Sequence, residues 1–297
     1  MMSAIRGDLE KMFESFETGQ AFRTDPLDLL DRSLAPQDLE IVSFVVAGLS
    51  YGRVEQIQKS SEALLKRLHQ DWDLGPTGAG LANGLTELNK KSEALLSRAL
   101  AGWKHRLNTS QDILALFRVI SKVLKAHKSL ARLYQSTHKA DATQHLVLFT
   151  KKLKSYASNE AGRAEAGSQW TGTQSLWFYP SPEDGSTCKR LMMWLRWMVR
   201  THEPDIGLWA KPDLLDPSAP KPSADRLFVP LDTHILQWAI ENKVLSGRSP
   251  SWKSVVEISN FFKSVNPGDP LKYDFMLCHL GMQKLRLGTQ KQALASV

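Results

Sequence analysis

Apolar residues recur every three or four positions along most of the chain, and no stretch sustains the period-two alternation of a half-buried strand. An all-α fold is expected. Pro36 opens a run through Ile41, Val42, Phe44, Val45, Val46 and Leu49 that is apolar all round, which predicts a central helix broken at Gly52. Val54, Ile57, Leu64, Leu65 and Leu68 then return at helical spacing beside Arg53, Lys59, Lys66 and Arg67, one face for packing and one for water. Asp25 before Pro26 reads as an N-cap, with proline in the first helical position. The segment from Asp73 to Gly84 reads as a flexible connection, followed by helices over about Leu85 to Ala101, Gln111 to Ala126 and Thr143 to Ser158.

The polar, Gly-rich stretch from Glu160 to Gln174 leads into an aromatic cluster of Trp170, Trp177, Phe178 and Tyr179. Trp194 and Trp197, at helical spacing, belong to a core. The segment from His202 to Pro230 holds six prolines and Trp209, cannot be one helix, and reads as an insertion between two helices. Helices resume over Asp232 to Asn242 and Ser251 to Ser264, and a last one is expected to be capped by Asp269 before Pro270 and stopped by Gly281.

Composition narrows the class. With 42% hydrophobic and 23% charged residues, the 297-residue chain is far from the disordered regime and long enough for one large domain or two. Two cysteines, Cys188 and Cys278, build neither a disulfide framework nor a four-cysteine metal cluster, which suits a reducing interior. No signal peptide or membrane span is apparent, because the run from Ile41 to Leu49 is too short and Arg196 interrupts Leu191 to Val199. A cytoplasmic protein is expected, nucleoid-associated if it binds DNA.

Charge adds a partner class. Lys and Arg number 38 against 31 Asp and Glu, a net +7, yet the window from Lys90 to Lys154 alone holds 14 basic side chains against Glu93, Asp112 and Asp141. An excess of that kind attracts a phosphate backbone, although anionic lipid or simple solubility accounts for it equally. Lys122, Lys125 and Lys128, each three residues apart, are the candidate backbone contacts, and a solvated helix face is the plainer reading of the same residues.

Two segments carry candidate chemistry. In EDGSTCKRLMMWLRWMVR, Gly185 and Ser186 stand just before an apolar helix and Lys189 falls in its first turn, beside Arg190. The free N–H groups there disfavour an ammonium and favour a bound phosphate, so a partly neutralised Lys189 is a nucleophilic amine of the Schiff-base type. The alternative is a lysine that reaches solvent or phosphate. In LFVPLDTHILQWA, Asp232 stands where a helix begins after Pro230, as a cap or as a fixed carboxylate able to stabilise an oxocarbenium ion or move a proton. His202, His234 and His279 lack metal-ligand spacing and read as cap, core or surface residues. No metal and no cofactor are expected.

At these segments the chain resembles a known family. The runs DLEIVSFVVAGLSYGRVEQI, GSTCKRLMMWLRWMVR, DIGLW, VPLDTHI and PGDPLKYDFMLCHLGM look like the bacterial domain of unknown function 2400, from about Asp25 to Gly281. That family is more distantly similar to the helix-hairpin-helix (HhH-GPD) DNA glycosylase superfamily, whose members carry an Asp in a V-D-T-H segment after a helix with the catalytic Lys. Leu231-Asp232-Thr233-His234 resembles the first and Gly185 to Arg190 the second, with Lys189 in the lysine's place. The resemblance implies that Lys189 attacks the deoxyribose C1′ of a flipped damaged nucleotide, that Asp232 assists, and that an aromatic pocket holds the base. Trp170, Trp177 and Trp209, in loops, are the candidate pocket, with Gly185, Ser186 and Arg190 for phosphate. Two departures stand out: Pro182-Glu183-Asp184-Gly185-Ser186 replaces a short L-P-G-V-G type loop, and Lys189 and Asp232 are 43 residues apart, farther than in most members.

The expectation is therefore an all-α, two-lobed glycosylase-like fold. A helical bundle over 36–200 ends in the hairpin-like helix with Lys189, and residues 1–35 with 201–297 form the second lobe, with Asp232 at the cleft. The expected function is nucleic-acid binding, on DNA, with base-excision chemistry by a monomer. The alternatives are a non-catalytic DNA- or RNA-binding protein on the same fold and an enzyme acting on a free nucleoside or tRNA.

Overall fold

Helix caps and apolar stripes account for nearly every element of the computed structural model, which describes residues 2–16, 19, 21, 25–158, 177–245, 247 and 249–283. The helices are α1 (Met2–Glu14), α2 (Pro36–Leu49), α3 (Val54–Asp71), α4 (Leu81–Thr86), α5 (Lys90–Leu100), α6 (Ser110–His127), α7 (Leu130–Ser136), α8 (Ala142–Ser158), α9 (Lys189–Val199), α10 (Thr233–Glu241) and α11 (Trp252–Val265). Residues 274–283 form a last helix, α12. The only sheet among the described residues is a hairpin of β1 (Lys104–His105) and β2 (Asn108–Thr109), too short to leave any alternation in the sequence.

The central helix is α2, buried at every residue from Asp38 to Leu49. Its two acids are turned on neighbouring backbone. Asp38 accepts from the N–H groups of Gly80 and Ala82 at 2.8 Å each, which fixes the segment 73–84 rather than leaving it a flexible connection. Glu40 accepts from Leu130 and Ala131 at the start of α7, each at 2.9 Å, and from the Trp209 indole at 2.8 Å. Burial outweighs these donors and pushes the Glu40 carboxyl up to about 7.

Three further expectations are corrected. The helix expected over Leu85 to Ala101 is two, because Asn89 turns its side chain on the N–H groups of Lys91 and Ser92 and starts α5 afresh. The Pro-rich segment does lie between two helices, α9 and α10, and it packs inward: Leu208, Trp209, Leu214 and Leu215 are buried in the apolar cluster that also takes residues from α2, α6, α9 and α11. The last helix begins at residue 274 and not at the Asp269-Pro270 pair, since Asp269 instead accepts from the Arg200 guanidinium at 2.9 Å. Gly281 does not stop it either. It lies inside α12, where an added Cβ would stand 2.6 Å from Cβ of His234, so its role is close approach to α10.

Buried charge ties α9 to the segments C-terminal to it. Arg196 pairs with Asp205 at 3.0 Å and Asp274 at 2.8 Å, and Arg200 pairs with Asp205 at 3.0 Å and Asp269 at 2.8 Å. Each guanidinium thus meets two carboxylates, which is how such charges are retained in a core. At the other end α1 docks on the turn before α12, with Glu10 accepting from Lys272 and from the Tyr273 hydroxyl at 2.6 Å each. Among the described residues no helix is long and apolar enough to cross a membrane.

Candidate active site

Lys189 and Asp232 both stand at helix starts, and both line one cavity of about 460 Å³. The walls come from Asp25 and Pro26, the α2–α3 turn at Ser50 to Gly52, the first turns of α3 and α9, the start of α10, and α12 at Asp274, Phe275, Cys278 and His279. The cavity thus opens between stretches drawn from both ends of the chain.

Lys189 is the first residue of α9. Cys188 before it holds a left-handed conformation (φ 52°, ψ 25°) and no side chain caps the helix. The turn is held by Ser186, whose hydroxyl accepts from the Cys188 N–H at 3.1 Å, and burial pushes the Cys188 thiol up to about 12. Gly185 adopts φ 71° with open space around it. The neighbouring acids turn away, since Glu183 pairs with Lys151 and Asp184 with Lys154 of α8, at 2.9 and 2.5 Å.

Asp232 is the N-cap of α10. Its Oδ1 accepts from the N–H groups of His234 and Ile235 at 2.9 and 2.8 Å, and its Oδ2 accepts from the Cys278 thiol at 2.8 Å. Burial and the adjacent carboxylate hold the Cys278 thiol well above its ordinary range, partly offset by the charge of Lys189. The carboxylate is thereby fixed in direction from two sides.

The remaining sequence-based candidates are scattered. Arg190 donates to the carbonyls of Gly48 and Trp177 at 2.7 and 2.8 Å, with its guanidinium 5.2 Å from the Tyr51 ring centroid. Its charge is thus engaged with the protein's own backbone. Trp177 is 46% exposed and does not line the cavity, although its ring lies 6.4 Å from that of Tyr51, which does. Trp209 lies away from the cavity, buried at 3% exposure with its indole on Glu40, while Trp170 falls outside the described residues. Lys122 donates to the Tyr156 carbonyl of α8 and Lys125 to the Leu88 carbonyl ahead of α5, so the two engage different neighbours of α6. Lys128 follows α6 in a left-handed conformation and is exposed. No group of three or more metal-ligating side chains comes together among the described residues.

Cys278, His279 and Asp25 were not singled out for this site by the sequence. The adjacent Cys-His pair in α12 was the available signal, but only the tertiary contact of α12 with α10 gives it meaning.

A family model described as "Protein of unknown function (DUF2400)" matches residues 25–283, a span that contains every residue lining the cavity. No curated protein and no solved structure matches the chain.

Proposed function

We propose that this chain, which belongs to the DUF2400 family, binds DNA and cleaves the N-glycosidic bond of a damaged nucleotide flipped into the Lys189–Asp232 cavity. The observation that carries the reading is that these two residues, 43 positions apart and each at a helix start, line the same cavity. Its walls are drawn from 25–57, 187–196 and 230–282, which supports a cleft between a bundle and a terminal lobe, the arrangement of a helix-hairpin-helix glycosylase.

In this reading Lys189 Nζ, after its ammonium has given a proton to solvent, attacks C1′ with the freed lone pair. The new C–N bond forms as the bond from C1′ to the base breaks, the base leaves with the electron pair and takes up a proton, and the amine gives one up. Ring opening then leaves an imine between Lys189 and the sugar. Asp232, oriented by two backbone N–H groups and the Cys278 thiol, faces the positive charge that develops on the sugar. Trp177, exposed beside Tyr51 of the cavity wall, offers a ring on which a base can stack.

One observation favours a second reading, a non-catalytic nucleic-acid-binding module. Both oxygens of Asp232 already accept hydrogen bonds, as those of a purely structural cap would. Borohydride trapping separates the two. On oligonucleotides carrying a series of damaged bases or an abasic site, the wild type forms a covalent adduct and Lys189→Ala forms none. Asp232→Asn slows base release by on the order of 10². Both variants must retain DNA binding. No adduct and no base release on any substrate overturns the catalytic reading and leaves the module.

A further inference from the structure

His279 is 3% exposed, yet its Nε2 has no hydrogen-bond partner among the described residues. Its Nδ1 lies 2.9 Å from the Phe275 carbonyl oxygen one turn earlier in α12, so that nitrogen carries the proton of the neutral ring and Nε2 presents a lone pair. The ring stands on the wall of the Lys189–Asp232 cavity. Facing Nε2 at 3.7 Å is Oδ2 of Asp25, beyond hydrogen-bond distance, while Oδ1 of the same carboxylate caps the Leu27 N–H at 2.9 Å.

The charges around the imidazole come from three elements. Asp25 and Asp232 favour its protonated form, whereas burial and the Arg196 guanidinium disfavour it, and the balance lies below the ordinary histidine range. At neutral pH the cavity therefore carries two acceptors side by side. A buried polar atom without a partner is costly, and His279 Nε2, buried, unpartnered and beside a carboxylate oxygen on the wall of a cavity, marks the position of a ligand's donors.

We infer that His279 Nε2 and Asp25 Oδ2 form a recognition pair for a ligand edge with two neighbouring N–H donors, the pattern of a ring N–H beside an exocyclic amino group in guanine. The inference rests on reading this cavity as a base pocket, and it names the base class. Adenine turns a ring lone pair toward one of the two acceptors, and uracil flanks its single N–H with carbonyl oxygens, so each sets acceptor against acceptor. Hypoxanthine keeps the ring N–H and lacks the amino group, leaving one acceptor unfilled. The Phe275 ring, which also lines the cavity and lies 4.1 Å from the His279 ring, gives the base an apolar neighbour.

The test uses the full chain in two arms. In the first, guanosine, inosine, adenosine and uridine are titrated calorimetrically. In the second, oligonucleotides carrying a guanine lesion that retains both donors, hypoxanthine or uracil are compared for base release. Guanosine or the guanine lesion is expected to be preferred by on the order of tenfold, the discrimination of one bidentate contact. Asp25→Asn keeps the cap on Leu27 and turns an acceptor into a donor, so it removes that preference while adenosine, whose ring lone pair no longer meets an acceptor, binds at least as well as to wild type. His279→Phe is the second variant, with its fold checked by thermal melting.

Preferential guanosine binding without base release on any oligonucleotide keeps the inference and shifts the ligand to a free nucleoside, at the expense of the base-excision reading. Base release with no preference for the guanine-type edge, or with a preference that Asp25→Asn leaves intact, overturns the inference and keeps that reading. No preference in either arm overturns the inference as well.

Discussion

The thiol of Cys278 donates to Oδ2 of Asp232 across 2.8 Å, which ties α12 to the carboxylate that starts α10. The bond joins two residues 46 positions apart, and it makes the protonated thiol part of the site. Because the adjacent carboxylate and burial both disfavour a thiolate, Cys278 is expected to alkylate slowly. Cys188, with its thiol pushed up to about 12, is expected to do the same. Iodoacetamide at pH 8 should label both on the order of 10²-fold more slowly in the native protein than in denaturant. Asp232→Asn should raise the native rate at Cys278 and leave Cys188 unchanged, as read by peptide mass mapping. Equal native and denatured rates at Cys278 would contradict this account of the site.

Close approach of α12 to α10 at Gly281 is the second part of that joint. An added Cβ would meet His234 Cβ at 2.6 Å and its Nδ1 at 2.7 Å, and neither the helix nor the Asp232 cap beside it yields cheaply. Gly281→Ala should cost roughly 1–3 kcal/mol, the range for overpacking, seen as a lowered denaturation midpoint in urea. A variant as stable as wild type would mean that the two helices separate freely.

Much of this arrangement is local and legible in the sequence. Pro36, Asp25 before Pro26, and Asp232 after Pro230 each announce a helix start, and each does start one. Trp194 and Trp197 sit in the core as their spacing suggests. The features that escaped depend on distant partners. Gly281 carries the same local signal whether it ends a helix or admits a neighbour, and Trp209 in a Pro-rich segment gives no sign that Glu40, 169 positions earlier, holds its indole. Lys122 and Lys125 read as one basic row, yet carbonyls of two different neighbours engage them. Cys278 and His279 gain their roles only when α12 meets Asp232 and Asp25.

Two buried groups set opposite pH trends. Glu40 rises from the ordinary 4.5 to about 7, so the folded state holds its proton longer, and stability from this group is full below pH 4.5 and lost as pH rises through 7. His145, lowered from 6.5 to about 4 by burial and with Nε2 2.8 Å from the Tyr134 carbonyl, works the other way. Its contribution is full above pH 6.5 and lost as pH falls through 4. Between pH 4.5 and 6.5 the two trends oppose each other. Relative to wild type, Glu40→Gln should therefore gain stability as pH rises from 4.5 to 7, and His145→Gln should lose it from 4 to 6.5, each by on the order of 3 kcal/mol. Urea melts across this range check both, and parallel wild-type and variant curves would refute the assignment.

The basic window separates into engaged and free cations, and this sharpens the DNA-binding test. Lys122 Nζ donates to the Tyr156 carbonyl near the end of α8, so Lys122→Glu removes a bond between two helices and brings a carboxylate against that carbonyl. It should lower stability. Lys128 is exposed just beyond α6, and Lys128→Glu should leave the melt unchanged. If phosphate lies along this side, Lys128→Glu weakens binding to every sequence alike and reduces the slope of log affinity against log salt by about 1, the release of one counterion per lost contact. Fluorescence anisotropy on two unrelated duplexes from about 50 to 200 mM salt measures both quantities. An unchanged slope and affinity for Lys128→Glu would remove this end of α6 from the DNA contact. A loss confined to one duplex would point to base readout instead of the backbone.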